Sequence, residues 1–147
     1  DRATERDILL ATTGAQEAEV SAVFDADQLL AAQDLIRRMP VGEAIVELIL
    51  DLVRAFRPDD PTAPERVREN MRWGPGPRAA QALMLAVRAR ALLRGAYAPS
   101  AQDVADLAPA VLNHRMALGF GARARGITQL ELIGDVTQMI LEKKAES

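Results

Sequence analysis

The run Trp73-Gly74-Pro75-Gly76-Pro77-Arg78-Ala79-Ala80 reads as a loop that ends where a helix begins. Pro77 suits the first helical position, because its fixed φ and missing N–H cost nothing there. From Pro77 to Arg94 the chain is rich in alanine, leucine and arginine, all good helix formers, and Gly95 supplies a stop. Gly74 and Gly76 let the incoming backbone take conformations, or approach a ligand, that a Cβ would forbid. The first helical turn carries unpaired N–H groups and the positive end of the helix dipole. Arg78 therefore adds a full charge where an anion is already favoured. This is chemistry for sensing a phosphate, although a plain helix start with a basic second residue reads the same way.

Working outward, the rest of the chain is also helical. Residues 2–12 read as a helix that closes near Gly14, and a short extended piece spans 19–24. Asp25 or Asp27 caps a helix bearing Leu29, Leu30, Leu35 and Ile36, which stops near Pro40. A third helix, 42–56, sets Ile45, Val46, Leu48, Ile49, Leu52, Val53 and Phe56 against a wet face of Glu43, Glu47, Asp51 and Arg54. Pro58, Pro61 and Pro64 make 57–65 a loop, and a short helix over 64–71 leads to the Gly-Pro loop. Ser100 caps the next helix, with Asp103 in the reciprocal position. Pro109 should kink or restart that helix near Ala108. Residues 116–125 look irregular, and a last amphipathic helix covers 128–143. The expected fold is all-α or nearly so: a compact bundle of five to seven helices with at most two short strands, near 20–24 and 116–120. The apolar faces of 42–56 and 79–93 should pack together, so Leu85→Asp is expected to unfold the domain.

Composition supports this class and narrows the function. Of 147 residues, 49% are apolar and only 3% aromatic, which favours helices. Neither a membrane-spanning apolar run nor a basic-then-apolar leader is visible, so the chain reads as soluble and cytoplasmic. Asp1 in first place points to a fragment. There is no cysteine and one histidine, His114, which excludes disulfides and clustered thiolate or imidazole metal sites. Net charge is −3, yet between Glu69 and Asp103 five arginines (72, 78, 88, 90 and 94) stand without an acid. That island reads either as a solvated face or as a local surface for an anionic partner.

Among the candidate residues, Arg78, Gln81 and Arg88 share one polar stripe of the 77–94 helix, with Ala79, Leu83, Ala86 and Val87 largely elsewhere, and an arginine on that stripe can grip a phosphate with two donors. Trp73 reads as a stacking surface for a ligand base or as a pin holding the loop to the core. His114-Arg115 either bond the last helical carbonyls or meet a neighbouring domain. Glu43, Glu47 and Asp51 are spaced like a solvated face, and Asp103 and Asp106 like a first helical turn; none forms a catalytic pair. No Gly-x4-Gly-Lys-Ser/Thr loop and no apolar strand ending in paired acids occurs. The chain by itself is not a complete nucleotide hydrolase.

The run from Val67 to Leu83 (Val-Arg-Glu-Asn-Met-Arg-Trp-Gly-Pro-Gly-Pro-Arg-Ala-Ala-Gln-Ala-Leu) resembles the second-sensor region of the MoxR-type AAA+ ATPases. So do Ala89-Arg90-Ala91-Leu92-Leu93-Arg94-Gly95, Asp103-Val104 and the run from Leu107 to Arg115. The opening Asp1 to Leu10 resembles the family's passage from ATPase core to helical lid, and Phe120 to Thr128 its tail segment. Three positions depart from the pattern. Pro75 replaces a small residue, Gly76 stands where many members have serine, and Arg125 where an acid is common.

The resemblance implies that residues 1–18 are the terminal helix of an ATPase core and that 19–147 form the lid. It makes Arg78 the second-sensor arginine, reaching the γ-phosphate of ATP, with Gly74, Gly76 and Pro77 shaping the nucleotide contact. Mg2+ would be held by the absent core, so this fragment alone would bind no cofactor and turn over no ATP. The partners implied are the chain's own core domain, a homo-oligomeric ring of the hexamer kind, and a protein with a von Willebrand A domain. The whole would act as a chaperone-like remodelling factor or in metalloenzyme maturation. No nucleic-acid or membrane partner is implied. The alternative is a non-enzymatic helical module whose basic helix docks an acidic protein. A DNA-binding domain is a third reading, opposed by the overall charge.

Overall fold

Side-chain caps set four of the helix starts. Asp1 accepts from the Thr4 N–H at the head of α1 (Arg2–Thr13). Asp25 and Gln28 cap each other's backbone N–H groups at the head of α2 (Ala26–Arg38), so Asp25, and not Asp27, is the cap. Reciprocal boxes of Ser100 with Asp103 and of Thr128 with Glu131 open α6 (Ala101–Leu112) and α8 (Gln129–Ala145). The other helices are α3 (Glu43–Ala55), α4 (Glu65–Asn70), α5 (Pro77–Leu93) and α7 (Phe120–Ala124). Gly95 takes φ +69° just past α5, the left-handed turn expected of it. This computed structural model describes residues 1–14 and 21–146.

The chain divides into two units, residues 1–32 and 33–147. In the first, none of the described residues is buried, and Ile8, Leu9 and Leu10 of α1 are more than half exposed. The second unit holds the core. α5 packs on α3 and α6, and α8 packs on α3 and α6. Leu48, Ile49, Leu52 and Val53 of α3 and Phe56 at its C-cap join one core with Leu83 and Val87 of α5, Val104, Ala108 and Leu112 of α6, and Leu132, Ile133 and Val136 of α8. The expected pairing of the 42–56 and 79–93 faces is therefore present. The class is all-α but for one two-stranded ribbon, and among the described residues there are eight α-helices, two of them only six and five residues long.

Four expectations change. The described part of the 20–24 strand, residues 21–24, is not extended pairing backbone, and residues 19–20 lie outside the described residues. The strand that pairs is β1 (Met71–Trp73), antiparallel to β2 (Ala117–Leu118), with Met71 opposite Leu118. Both of those residues are buried, so the ribbon forms where it can close the core beside α4 and α7. Residues 116–125 are thus ordered into β2 and α7. Pro109 does not interrupt α6, which runs through it. Val104 and Ala108 before it and Leu112 after it are fully buried, and that packing outweighs the roughly 3 kcal/mol a proline costs inside a helix. Last, Leu85 is 37% exposed. It lies seven residues after Arg78 and shares its stripe, whereas the buried stripe is Ala79, Leu83, Val87 and Ala91.

Candidate functional site

The loop before α5 is fixed from beneath by the end of α3. Phe56, fully buried, ends that helix. Gly74 lies so close to it that a Cβ there would stand 2.1 Å from the Phe56 carbonyl oxygen and 2.8 Å from the Arg57 Cα. Arg57 donates from Nε to the Pro75 carbonyl at 2.9 Å, and Pro75 is buried. Gly76 is different: nothing lies within 4 Å of a Cβ built on it, and its φ of −81° suits any residue. The two glycines that read alike in sequence do different things. Gly74 permits a close backbone approach to the end of α3; Gly76 is the uncapped N-cap of α5. Pro77 occupies the first turn as expected.

Arg78 follows, exposed, in that first turn. Most of the basic island is spent elsewhere. Arg94 reaches the buried Asp103 at 2.7 Å, Arg90 lies 3.1 Å from the same carboxylate and also pairs with Asp106, and Arg88 donates to the Arg37 carbonyl at 3.1 Å. Burial would raise the Asp103 pKa, but bonds from Ser100 and the charges of Arg94 and Arg90 outweigh it and hold the carboxyl low. Arg72 and Arg78 alone of the five, among the described residues, have no side-chain partner. They flank the Gly-Pro loop on either side. Beside it a cavity of about 540 Å³ is lined by Arg57, Asp60, Arg72, Trp73 and the loop itself. Trp73, 49% exposed, lines this cavity with its open side.

Asp60 on the far wall is committed to its own turn. Its carboxylate is lowered to about 2, first by the Thr62 hydroxyl and N–H and then by Arg54, whose Nε lies 3.0 Å away. A carboxyl whose folded pKa is depressed adds stability above its unfolded value, near 4, and loses it as pH falls toward 2. Asp60→Asn should therefore lower the thermal midpoint at pH 6. The gap from the unaltered chain should close between pH 4 and pH 2, in melts followed by circular dichroism.

Several of the remaining candidates are bonded within the domain. Arg115 donates to the Val111 carbonyl at 2.8 Å and contacts His114, bonding the end of α6 as one of the two readings held. Glu43 and Glu47 are exposed, and Asp51 pairs with Lys144 at 2.7 Å. Arg125 donates to Asn70 at 2.8 Å and so ties α7 to the head of β1. Among the described residues no three acids or histidines converge as a metal site would require, and no helix is long and apolar enough to cross a membrane. The residue that sequence reasoning missed is Arg57. As the first residue of a proline-rich loop it gave no periodic signal, and its partner lies 18 positions away.

Residues 63–135, which hold the Gly-Pro loop, α5, α6 and the ribbon, match the AAA lid domain family. The chain is also 29% identical over 136 residues to the chaperone MoxR1 of Mycobacterium tuberculosis, covering 92% of this chain and 36% of that protein. The crystal structure of a protein described as an ATPase, from Cytophaga hutchinsonii, has the same fold. Its TM-score is 0.82 at 22% identity, over 94% of this chain and 42% of the other. Together the three likenesses support a C-terminal lid region of a MoxR-type AAA+ ATPase. The chain spans about a third of the curated relative's length.

Proposed function

We propose that this lid supplies Arg78 as the second-sensor arginine of an ATPase and couples the state of the nucleotide to lid movement. The observation that carries the reading is the pair of facts about one side chain. Arg78 is exposed and unpartnered while three neighbouring arginines are bonded internally, and it stands in the first turn of α5 behind a loop held by α3. A guanidinium so placed suits the terminal phosphate of ATP, where it would stabilise charge without covalent chemistry. Gly74, Gly76 and Pro77 set its position. ATP would be bound chiefly by a core domain carrying the phosphate loop and the Mg2+ ligands that this chain lacks.

On the same reading residues 1–18 are the terminal helix of that core and 19–147 the lid. The exposed apolar residues of α1 fit a helix whose packing surface is the core. The complete protein would be a cytoplasmic ring, a hexamer, remodelling a client or maturing a metalloenzyme with a von Willebrand A partner. The competing module that docks an acidic protein through its basic helix is weakened by Asp103 and Asp106, which already neutralise Arg90 and Arg94. The test is Arg78→Ala in the full-length ATPase. Turnover should fall at least about tenfold, the loss of roughly 1.4 kcal/mol of transition-state stabilisation. Unchanged turnover with unchanged nucleotide affinity overturns the assignment.

A further inference from the structure

We infer that Arg57 is a positioning residue for Arg78, and the inference rests on the second-sensor reading above. Arg57 is half-buried at the end of α3, its backbone N–H bonded to the Arg54 carbonyl at 2.9 Å. It sits next to Phe56, which is locked in the core. Its guanidinium lies beside a cavity that contains Asp59 and Asp60, yet it donates to the Pro75 carbonyl. The Asp60 oxygens are already taken by Thr62 and Arg54. The charge is thus used to hold backbone.

Little slack separates that bond from Arg78. After Pro75 come only Gly76, extended at φ −81° and ψ 179°, and Pro77, whose ring fixes φ. The first backbone bond of the helix, from the Ala79 N–H to the Gly76 carbonyl at 2.9 Å, closes the unit. A bond from a charged donor to a buried carbonyl is strong, and losing it leaves that carbonyl unsatisfied. Without the Arg57 side chain the Gly74 end of the loop stays seated on α3 but Pro75 and the residues after it lose their anchor, and a small displacement of a catalytic charge is expensive in rate.

The test compares ATP turnover of the full-length protein with Arg57→Ala, Arg57→Lys, Arg78→Ala and the Arg57→Ala/Arg78→Ala double variant. We expect Arg57→Ala to lower kcat about tenfold with KM for ATP little changed. Arg57→Lys, which keeps a donor, should restore most of the loss. The double variant should be no slower than Arg78→Ala alone, since Arg57 acts through Arg78. Hydrogen exchange at the Ala79 amide should quicken in Arg57→Ala, a readout that does not involve the nucleotide. Equal fractional losses in both backgrounds, or unaltered kcat in Arg57→Ala, overturn the inference while leaving the second-sensor assignment standing. A silent Arg78→Ala instead removes that assignment, and unquickened exchange at Ala79 removes the positioning role by itself.

Discussion

Leu83→Asp is expected to unfold the helical unit of residues 33–146. Leu83 has no exposed surface and sits in the middle of the buried stripe of α5, between α3 and α6. An aspartate there places an unpaired carboxylate in the same cluster as Ile49, Leu52 and Val104, and among the described residues no cation is buried in the core to receive it. The variant must either bury the charge or protonate the group, and it also loses the leucine's packing. Together these exceed about 4–5 kcal/mol, comparable to the lower end of the roughly 5–15 kcal/mol that typically stabilises a domain. Circular dichroism should show lost helicity at 25 °C. Leu85→Asp is the control: its site is 37% exposed, and the new carboxylate can reach water. Helicity and midpoint should then stay near those of the parent chain. Equal damage from both substitutions would mean that the α5 stripe is rotated from the one described.

Gly74→Val should be the second most damaging change, through backbone and not through core apolarity. Its Cβ would meet the Phe56 carbonyl oxygen at 2.1 Å, where ordinary contact begins near 3.4 Å. Because the obstructing atoms are backbone, no rotamer change relieves them. The loop must lift by more than an ångström, which breaks the Arg57–Pro75 bond and displaces the start of α5. Overpacking of this kind costs about 1–3 kcal/mol and sometimes more, and the isopropyl group puts this case at the upper end. Gly76→Ala is the matched comparison. With open space around its Cβ and an ordinary φ, it should be close to neutral, the gain of about 0.4–1 kcal/mol through the unfolded chain being offset by the poorer fit of alanine to an N-cap position. Thermal melts of the two variants decide the matter: similar midpoints would show that the loop is not seated on α3.

The sequence by itself determined the local decisions. Pro77 starting α5, Gly95 ending it with positive φ, and the Ser100–Asp103 box opening α6 each depend on groups within three or four residues. Such signals are legible because a cap or a stop bonds its own turn. The apolar face of α3 was legible for the same reason, being written at helical period. The polar stripe of Arg78, Gln81 and Arg88 already set Ala79, Leu83 and Val87 apart as the buried side of α5, but only the tertiary structure decided where Leu85 falls, because a helix of alanine, leucine and arginine has a weak periodic contrast. Leu83 and Leu85 then differ only in what surrounds them. It also decided which arginines stay free. Arg90 and Arg94 are neutralised by acids 9 to 16 positions ahead, and those contacts exist only once α5 lies on α6. The division of labour between Gly74 and Gly76, and the hold of Arg57 on Pro75, arise in the same way: α3 and the loop meet across 18 residues, a separation over which chain composition carries no geometric information.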